Sequence, residues 1–316
     1  MTVNQNDLTM RPITGCEELD LFSQLPYTLD EELADDLATG RRRPKWMWVA
    51  LHGERLLARA AWWGRPGDDT PFLLDIFDID DSSPDRDRVD IGVRLLQTAL
   101  AEVIPTNTRP PEYNRVVPSD WREDHMARHV VENRMLALEL TGARLLVERL
   151  RLEWRPGTPL PTPRQRLAFR PVRDTEEILA LMTLVLNGTL DAHSREDLAR
   201  MSAREAAIRH YEDELAHFRS PRDWWRIATL PDGEPVGFVT PARNDYNPVI
   251  GYLAVLPEHR GNGYIDEILT EGTHILIAQD VPRIRAATDL GNTPMANAFQ
   301  RVGYVIFERQ ITMTWS

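Results

Sequence analysis

The sequence predicts an α/β chain of two tandem layered domains, each a mixed sheet flanked by helices, and three observations carry that expectation. The first is length: 316 residues exceed the roughly 100–200 of a usual domain. The second is that strand-like stretches interleave with helical periodicity and hairpins, which excludes an all-β sandwich and a pure helical bundle. The third is that one ordered set of landmarks occurs twice, on either side of the stretch RPGTPLPTPR at 155–164, as a duplicated unit would leave it. That stretch is too rich in proline to continue a helix or pack a core. The division therefore reads 1–154, a linker at 155–164, and 165–316.

The landmarks recur in the same order. The halves open with MRPITGCEELDLF and FRPVRDTEEILALM, each an extended Arg-Pro lead-in before an acidic, apolar-periodic helix start. Next come residues 45–63 and 223–243, each an aromatic-rich strand, a Gly-containing turn and a second strand. Both halves close with an apolar helix, a glycine (Gly142, Gly303) and a strand ending in tryptophan (Trp154, Trp315), at identical spacing. In the second half the expected elements are a strand at 166–171, helices at 174–187 and 203–217, and strands at 224–230, 235–241 and 249–256. A helix at 263–278, a strand at 283–289, a helix at 293–301 and a strand at 304–314 complete it.

Composition excludes several classes. A hydrophobic share of 42% with 27% charged residues is that of a globular chain rather than a disordered or fibrous one. The longest mostly apolar run, 178–186, is about half of what a spanning helix needs. The opening MTVNQNDLTMR lacks the apolar stretch of a secretory signal, so a cytoplasmic location is expected. Cys16 is the sole cysteine, which excludes an internal disulfide and a thiolate zinc site and reads as a core thiol. With 37 basic against 49 acidic residues the formal charge is −12, which repels nucleic acid and anionic membrane and more easily accommodates a neutral or cationic partner, such as a cationic small-molecule amine.

Chemistry concentrates in GYLAVLPEHRGNGYIDEILTEGTHIL, residues 251–276. An apolar strand runs into Pro257, turns through Arg260, Gly261, Asn262 and Gly263, and feeds an amphipathic helix. Free N–H groups at a helix start, reinforced by the macrodipole, bind anions, and glycines admit a close backbone approach. Arg260 adds a permanent charge. An isolated GxG is as often an ordinary turn, but here strand, turn and helix start coincide, and pyrophosphate is the natural guest. No GxxxxGK[ST] is present, and no third glycine with a ribose-binding acid, so P-loop and Rossmann readings lack support.

These residues resemble the GNAT superfamily of acyl-CoA-dependent N-acyltransferases. The family's loop has the form Arg/Gln-x-x-Gly-x-Gly/Ala after a strand ending in Val-x-Pro-Glu. Val255, Pro257, Glu258 and the run Arg260, Gly261, Asn262, Gly263, Tyr264 match it, while Ile265 stands where a small residue is usual. The family's following motif is echoed by Asn292, Phe299, Gly303 and Tyr304. The resemblance implies two tandem GNAT-like domains and direct transfer of an acetyl group from acetyl-CoA to a small amine within a ternary complex. It implies that the fourth strand splays from the fifth, that the backbone of Leu253, Ala254 and Val255 holds the pantetheine arm, and that Asn292 and Phe299 line the cofactor. Many relatives have a tyrosine at the position of Phe299 to protonate the leaving thiolate; phenylalanine has no donor. For deprotonating the amine, Asp289 is the first candidate and Tyr252 the second, although Asp289 reads more simply as a cap for the helix that begins after Asn292 or as a turn acid. His210, His217 and His274 read as surface or packed histidines, and no metal-ligand spacing is present.

In the first half the corresponding place, residues 81–96, has no glycine before Gly92. Asp78, Asp80, Asp81, Asp85 and Asp87 would there oppose phosphates, so this half reads as a copy that has lost its cofactor, the alternative being an unrelated fold. A homodimer is compatible with the sequence. Against acyl transfer stands one rival, a non-catalytic acyl-CoA sensor or scaffold, motivated by Phe299, Ile265 and the degenerate first half.

Overall fold

The computed structural model describes residues 8–82, 87–162 and 164–315; Asp85 and the side chain of Asp87 lie outside them. The chain divides into two compact units, Met1–Glu148 with Gln310–Ser316, and Arg149–Arg309. These do not follow the sequence halves: each unit takes the end of the other half's last strand.

The first unit contains β1 (Leu8–Pro12), α1 (Leu19–Phe22), α2 (Leu33–Thr39), β2 (Met47–His52), β3 (Arg55–Trp63), β4 (Leu73–Ile79), α3 (Asp87–Val103), β5 (Tyr113–Pro118), α4 (His125–Leu140) and the start of β6 (Ala143–Trp154). Its sheet runs β1-β2-β3-β4-β5 and is continued by residues 310–315 of the chain's last strand. Strands 2 and 3 form the expected hairpin, antiparallel from Met47↔Ala61 to His52↔Arg55. One face buries Trp46, Trp62, Phe77, Tyr113, Met313 and Trp315 under α3 and α4. The other buries Phe22, Leu33, Val49 and Ile76. Cys16, expected in the core, is exposed: it opens the short turn Cys16–Glu18 before α1, which has no buried residue.

The second unit repeats the order with β7 (Ala168–Pro171), α5 (Thr175–Val185), α6 (Ala192–Leu198), α7 (Ala203–Asp213), β8 (Arg226–Thr229), β9 (Pro235–Arg243), β10 (Pro248–Val255), α8 (Tyr264–Ile277), β11 (Ile284–Asp289), α9 (Thr293–Arg301) and the start of β12 (Val305–Trp315). Every expected element is present within a few residues, and α6 is the one the sequence reading lacked. Residues 149–154 of β6 stand beside β11, followed by β10, β9, β8 and β7. Neighbours on β9 part to opposite faces, as strand geometry requires: Phe238 packs with Trp225 and Tyr211 under α5 and α7, and Val239 with Leu269 and Leu276 of α8. Residues 155–162 carry no helix or strand, yet Leu160 packs on this unit's core. Thr158 and Pro159 also close on Gly303, where an added Cβ would meet Thr158 at 2.6 Å.

The repeated openings have a physical cause. In the first, Arg11 grips Glu18 with two hydrogen bonds of 2.7 and 2.6 Å while the Thr14 N–H donates to the same carboxylate at 2.8 Å. In the second, Arg170 grips Glu177 at 3.1 and 2.8 Å and the Arg173 N–H donates at 2.8 Å. Bidentate guanidinium pairing of this kind fixes the strand to the following helix. Arg11 holds the Glu18 carboxyl down to about 2; for Glu177, burial pushes upward, but Arg170 and Arg173 prevail and hold it at about 2.

Candidate active site

β10 and β11 run parallel and share the register pair Val249↔Arg285 at their start. No further pair between them follows among the described residues, so the strands part toward their C-terminal ends. β10 also carries a bulge at Gly251, where Ile250 faces Pro241 and Tyr252 faces Thr240. Past the bulge, Ala254 and Val255 remain partly exposed and Leu253 is buried. The parted strands leave a V walled by the backbone of Leu253, Ala254 and Val255, as expected of a splayed fourth strand.

At the mouth of the V the chain turns through Arg260–Gly263 into α8. Gly261 and Gly263 have φ of +83° and +69°, in the left-handed region, and a Cβ at either would meet nothing within 4 Å. α8 begins at Gly263 with no side chain bonded to its first N–H groups. An exposed, uncapped helix start behind an open loop is the arrangement that receives an anion. The loop is braced from beneath by Arg166, which donates to the carbonyls of Asn262 and Gly263 at 2.8 and 3.0 Å, pairs with Glu267 at 2.6 Å and stacks on Tyr264 at 4.7 Å. Arg260 departs from its expected role. Its guanidinium donates to the carbonyls of Val185 and Asn187, each at 2.7 Å, closing the C-terminal end of α5. The guanidinium is thus turned away from the N–H groups that lead into α8.

Across the V, at the end of β11, Asp289 is 3% exposed and both its oxygens are engaged. Oδ1 accepts from Arg149 Nε at 2.9 Å, and Oδ2 accepts from the Ala192 N–H, the first residue of α6, at 2.6 Å. Arg149 is its direct cross-strand partner and also donates to Asp191 at 2.8 Å and to His193 Nδ1 at 3.1 Å. Burial pushes the Asp191 carboxyl upward, but Arg149 and the Ser194 N–H outweigh it and hold it below the ordinary range. Asp289 is therefore a cap, as one reading of the sequence had it, though of α6 rather than α9. Arg149, Asp191, His193 and Arg166 escaped the sequence reading; DAHSRED carries the Asp-x-x-Ser signature of a capped helix start, whereas nothing local marks Arg149.

Tyr252 faces Phe238 and His210, with ring centroids 5.2 and 4.9 Å away. Burial above all, and then the fields of Asp191 and Glu214, push its phenol upward, which unsuits it as a base at neutral pH. His210 is the unexpected member. Its Nδ1 lies 4.0 Å from Glu214, and its Nε2 is buried with no hydrogen-bond partner among the described residues. His217 and His274 are exposed. Asn292 caps α9 by accepting the Met295 N–H at 3.4 Å. Phe299 is 2% exposed, its ring edge-on to Tyr304 at 5.1 Å, so it is built into the core. The described residues hold no cluster of three or more His, Cys, Asp or Glu able to bind a metal and no helix long and apolar enough to cross a membrane.

The first unit has the same parted pair, β4 and β5, with Leu74↔Tyr113 at their start and a bulge at Asp75. Aligned on the bulges, Phe77, Asp78 and Ile79 stand for Leu253, Ala254 and Val255. There the carbonyls of Phe77 and Ile79 accept from Arg115 at 3.1 Å and Arg134 at 3.0 Å, so arginine side chains occupy the groove. Asp78, Asp80 and Asp81 do not stand as free charges there as expected. Asp78 is buried among Arg59 and Arg115, each at 3.0 Å, and Arg134 at 3.4 Å. Asp80 pairs with Arg55 and Asp81 with Arg134.

Residues 191–304 match the model of the acetyltransferase (GNAT) family, whose general chemistry is acyl transfer. Among solved structures, a GCN5-related N-acetyltransferase from Sphaerobacter thermophilus is similar at 13% identity and TM-score 0.59, over 98% of this chain and 95% of that one. A tandem GNAT protein of the clavulanic acid biosynthesis pathway is similar at 14% identity and TM-score 0.53, over 97% and 98%. A glucosamine N-acetyltransferase region of a fungal multi-domain GH3 beta-N-acetylglucosaminidase is similar at 12% identity and TM-score 0.58, over 97% of this chain and 38% of that one. At such identities these likenesses speak for the fold alone. No curated protein matches the chain. The open loop before α8 and the parted strands fall within the residues, 191–304, that match the acetyltransferase (GNAT) family.

Proposed function

We propose that the second unit transfers an acyl group, acetyl foremost, from a coenzyme A thioester to a small amine held beside it in a ternary complex. The observation that carries this reading is the uncapped start of α8 behind Gly261 and Gly263, standing at the mouth of the V between β10 and β11. The N–H groups from Gly261 to Ile265 would hold the pyrophosphate, and the backbone of Leu253, Ala254 and Val255 the pantetheine arm. When bound, the thioester supplies an activated carbonyl; the side chains supply position and a proton acceptor. His210 is the group best placed to take the amine's proton, on an Nε2 that has no hydrogen-bond partner among the described residues, with the Glu214 carboxylate beside Nδ1. The amine nitrogen bonds to the acyl carbon as the carbon–sulfur bond breaks, and sulfur leaves as thiolate, which needs no donor from Phe299 because a thiol of pKa about 8.5 is a tolerable leaving group. Asp289 and Arg149 act as positioning groups that fix the start of α6.

One observation favours a second reading, a non-catalytic acyl-CoA sensor: Phe299 is sealed in the core and offers no acid. Thermal stabilisation by acetyl-CoA followed by thiol release with a panel of amines separates the two. Stabilisation with amine-dependent thiol release supports transfer; stabilisation without release for any amine supports the sensor; no stabilisation sinks both.

A further inference from the structure

The second unit has a hollow of about 390 Å³ that the acyl-donor reading does not use. It lies where β10 and β11 begin, at the opposite end of the strands from the α8 loop: the eight residues of β10 put about 23 Å between them, at about 3.3 Å per residue. Three arginines line it, Arg155, Arg243 and Arg283, against one acidic residue, Asp245. Asp245 is paired with Arg219 at 2.5 Å.

The arginines differ in how they are held. The guanidinium of Arg243 has no partner among the described residues, while its backbone is pinned: its N–H donates to Ser220 Oγ at 3.0 Å and its carbonyl accepts the Arg219 N–H at 2.9 Å. Arg283 Nε donates to Asn247 Oδ1 at 2.9 Å, a neutral acceptor that orients the fork without neutralising it. Asn247 is itself set by a turn in which Asn244 Oδ1 accepts the N–H groups of Tyr246 and Asn247 at 2.9 and 2.7 Å. Arg155 pairs with Glu153, but that carboxylate also faces Arg285 at 2.9 Å, so two cations share one anion. In a chain of net charge −12, this concentration of positive charge opposes the overall field. Planar guanidinium forks around a concave space, one oriented by Asn247 and one left unpaired on a pinned backbone, match the geometry of phosphate and carboxylate oxygens.

We propose that this hollow binds a small polyanion bearing phosphate or carboxylate groups, at a site separate from the acyl-donor V. The test is calorimetric titration of the full chain with inorganic pyrophosphate, and in parallel with citrate, in wild type and two variants. Because pyrophosphate also suits the α8 loop, wild type is titrated with and without saturating CoA. The variants are Gly261→Val/Gly263→Val, which disables the loop, and Arg243→Ala/Arg283→Ala, which disables the hollow. Saturable binding of either probe is expected to persist in the presence of CoA and in the loop variant. It should weaken about tenfold or more in the arginine variant, whose melting temperature and CoA affinity stay unchanged. Absence of saturable binding of both probes to the loop variant, or affinity unchanged in the arginine variant, overturns the proposal. Failure of CoA to bind at all would bear on the proposed function and leave the comparison of the two variants intact.

Discussion

Replacing Gly261 and Gly263 together by valine tests the acyl-donor site most directly. At φ of +83° and +69° an L-residue costs about 1–2 kcal/mol each, and a β-branched one is a true outlier there. The new Cβ atoms meet nothing within 4 Å, so the cost is conformational and no clash adds to it. With about 2–4 kcal/mol against the native turn, the loop relaxes to right-handed backbone and re-aims the N–H groups before α8. Losing even one charge-assisted bond, worth about 1.5–3 kcal/mol, weakens CoA binding about tenfold or more. Calorimetry with CoA reads this, and thermal melting confirms that the variant folds, since the loop is exposed. Affinity within twofold of wild type would refute the assignment of this loop to the cofactor.

Further expectations concern the residues around it. Arg149→Ala leaves the buried Asp289 and the neighbouring Asp191 without their cation and should cost about 3 kcal/mol in denaturant unfolding; adding Asp289→Asn should restore part of it, and a loss under about 1 kcal/mol contradicts the positioning role. Glu177 titrates at about 2 in the fold against about 4.3 unfolded, so its stabilisation is present above about pH 4.3 and is lost as pH falls toward 2. The melting-temperature gap between wild type and Glu177→Gln should therefore be widest at neutral pH and close in acid; a gap that does not change with pH refutes the clasp. Phe299→Tyr buries a hydroxyl beside Tyr304 and should lower stability by about 1–3 kcal/mol while turnover stays within a few fold. A hundredfold rise in turnover would show that the thiolate needs an acid after all.

Much of the fold was legible because its signals are local. The second-half strands and helices stand out by periodicity and by glycine and proline punctuation, and the repeated Arg-Pro openings proved to be one clasp used twice. Gly261 and Gly263 were readable for the same reason: a left-handed turn before a helix needs those residues. What stayed hidden depends on residues far apart in sequence. Arg149 meets Asp289 across 140 positions, and only strand order brings them together. Arg260 stands where the motif implies a phosphate ligand, yet the carbonyls at the end of α5 hold its guanidinium. His210 looked like any helical histidine, and only packing against Tyr252 leaves its Nε2 enclosed and unbonded. In the first unit, the aspartates were visible, but not the arginines from β3, β5 and α4 that neutralise them.

The traded strand ends make the two halves inseparable as fragments. A protein expressed from residue 165 onward lacks 149–154 and with them the neighbour of β11, leaving the backbone of Ile284 to Asp289 as a raw edge. One ended at 154 lacks 310–315, which continue the first sheet beyond β5 and carry Met313 and Trp315 into its core. Each fragment is thus an aggregation hazard alone. Co-expressed, the two can complete one another only by reciprocal strand donation, the bond that holds a domain-swapped dimer. A protease that nicks the 155–164 stretch would cut the chain without releasing either piece.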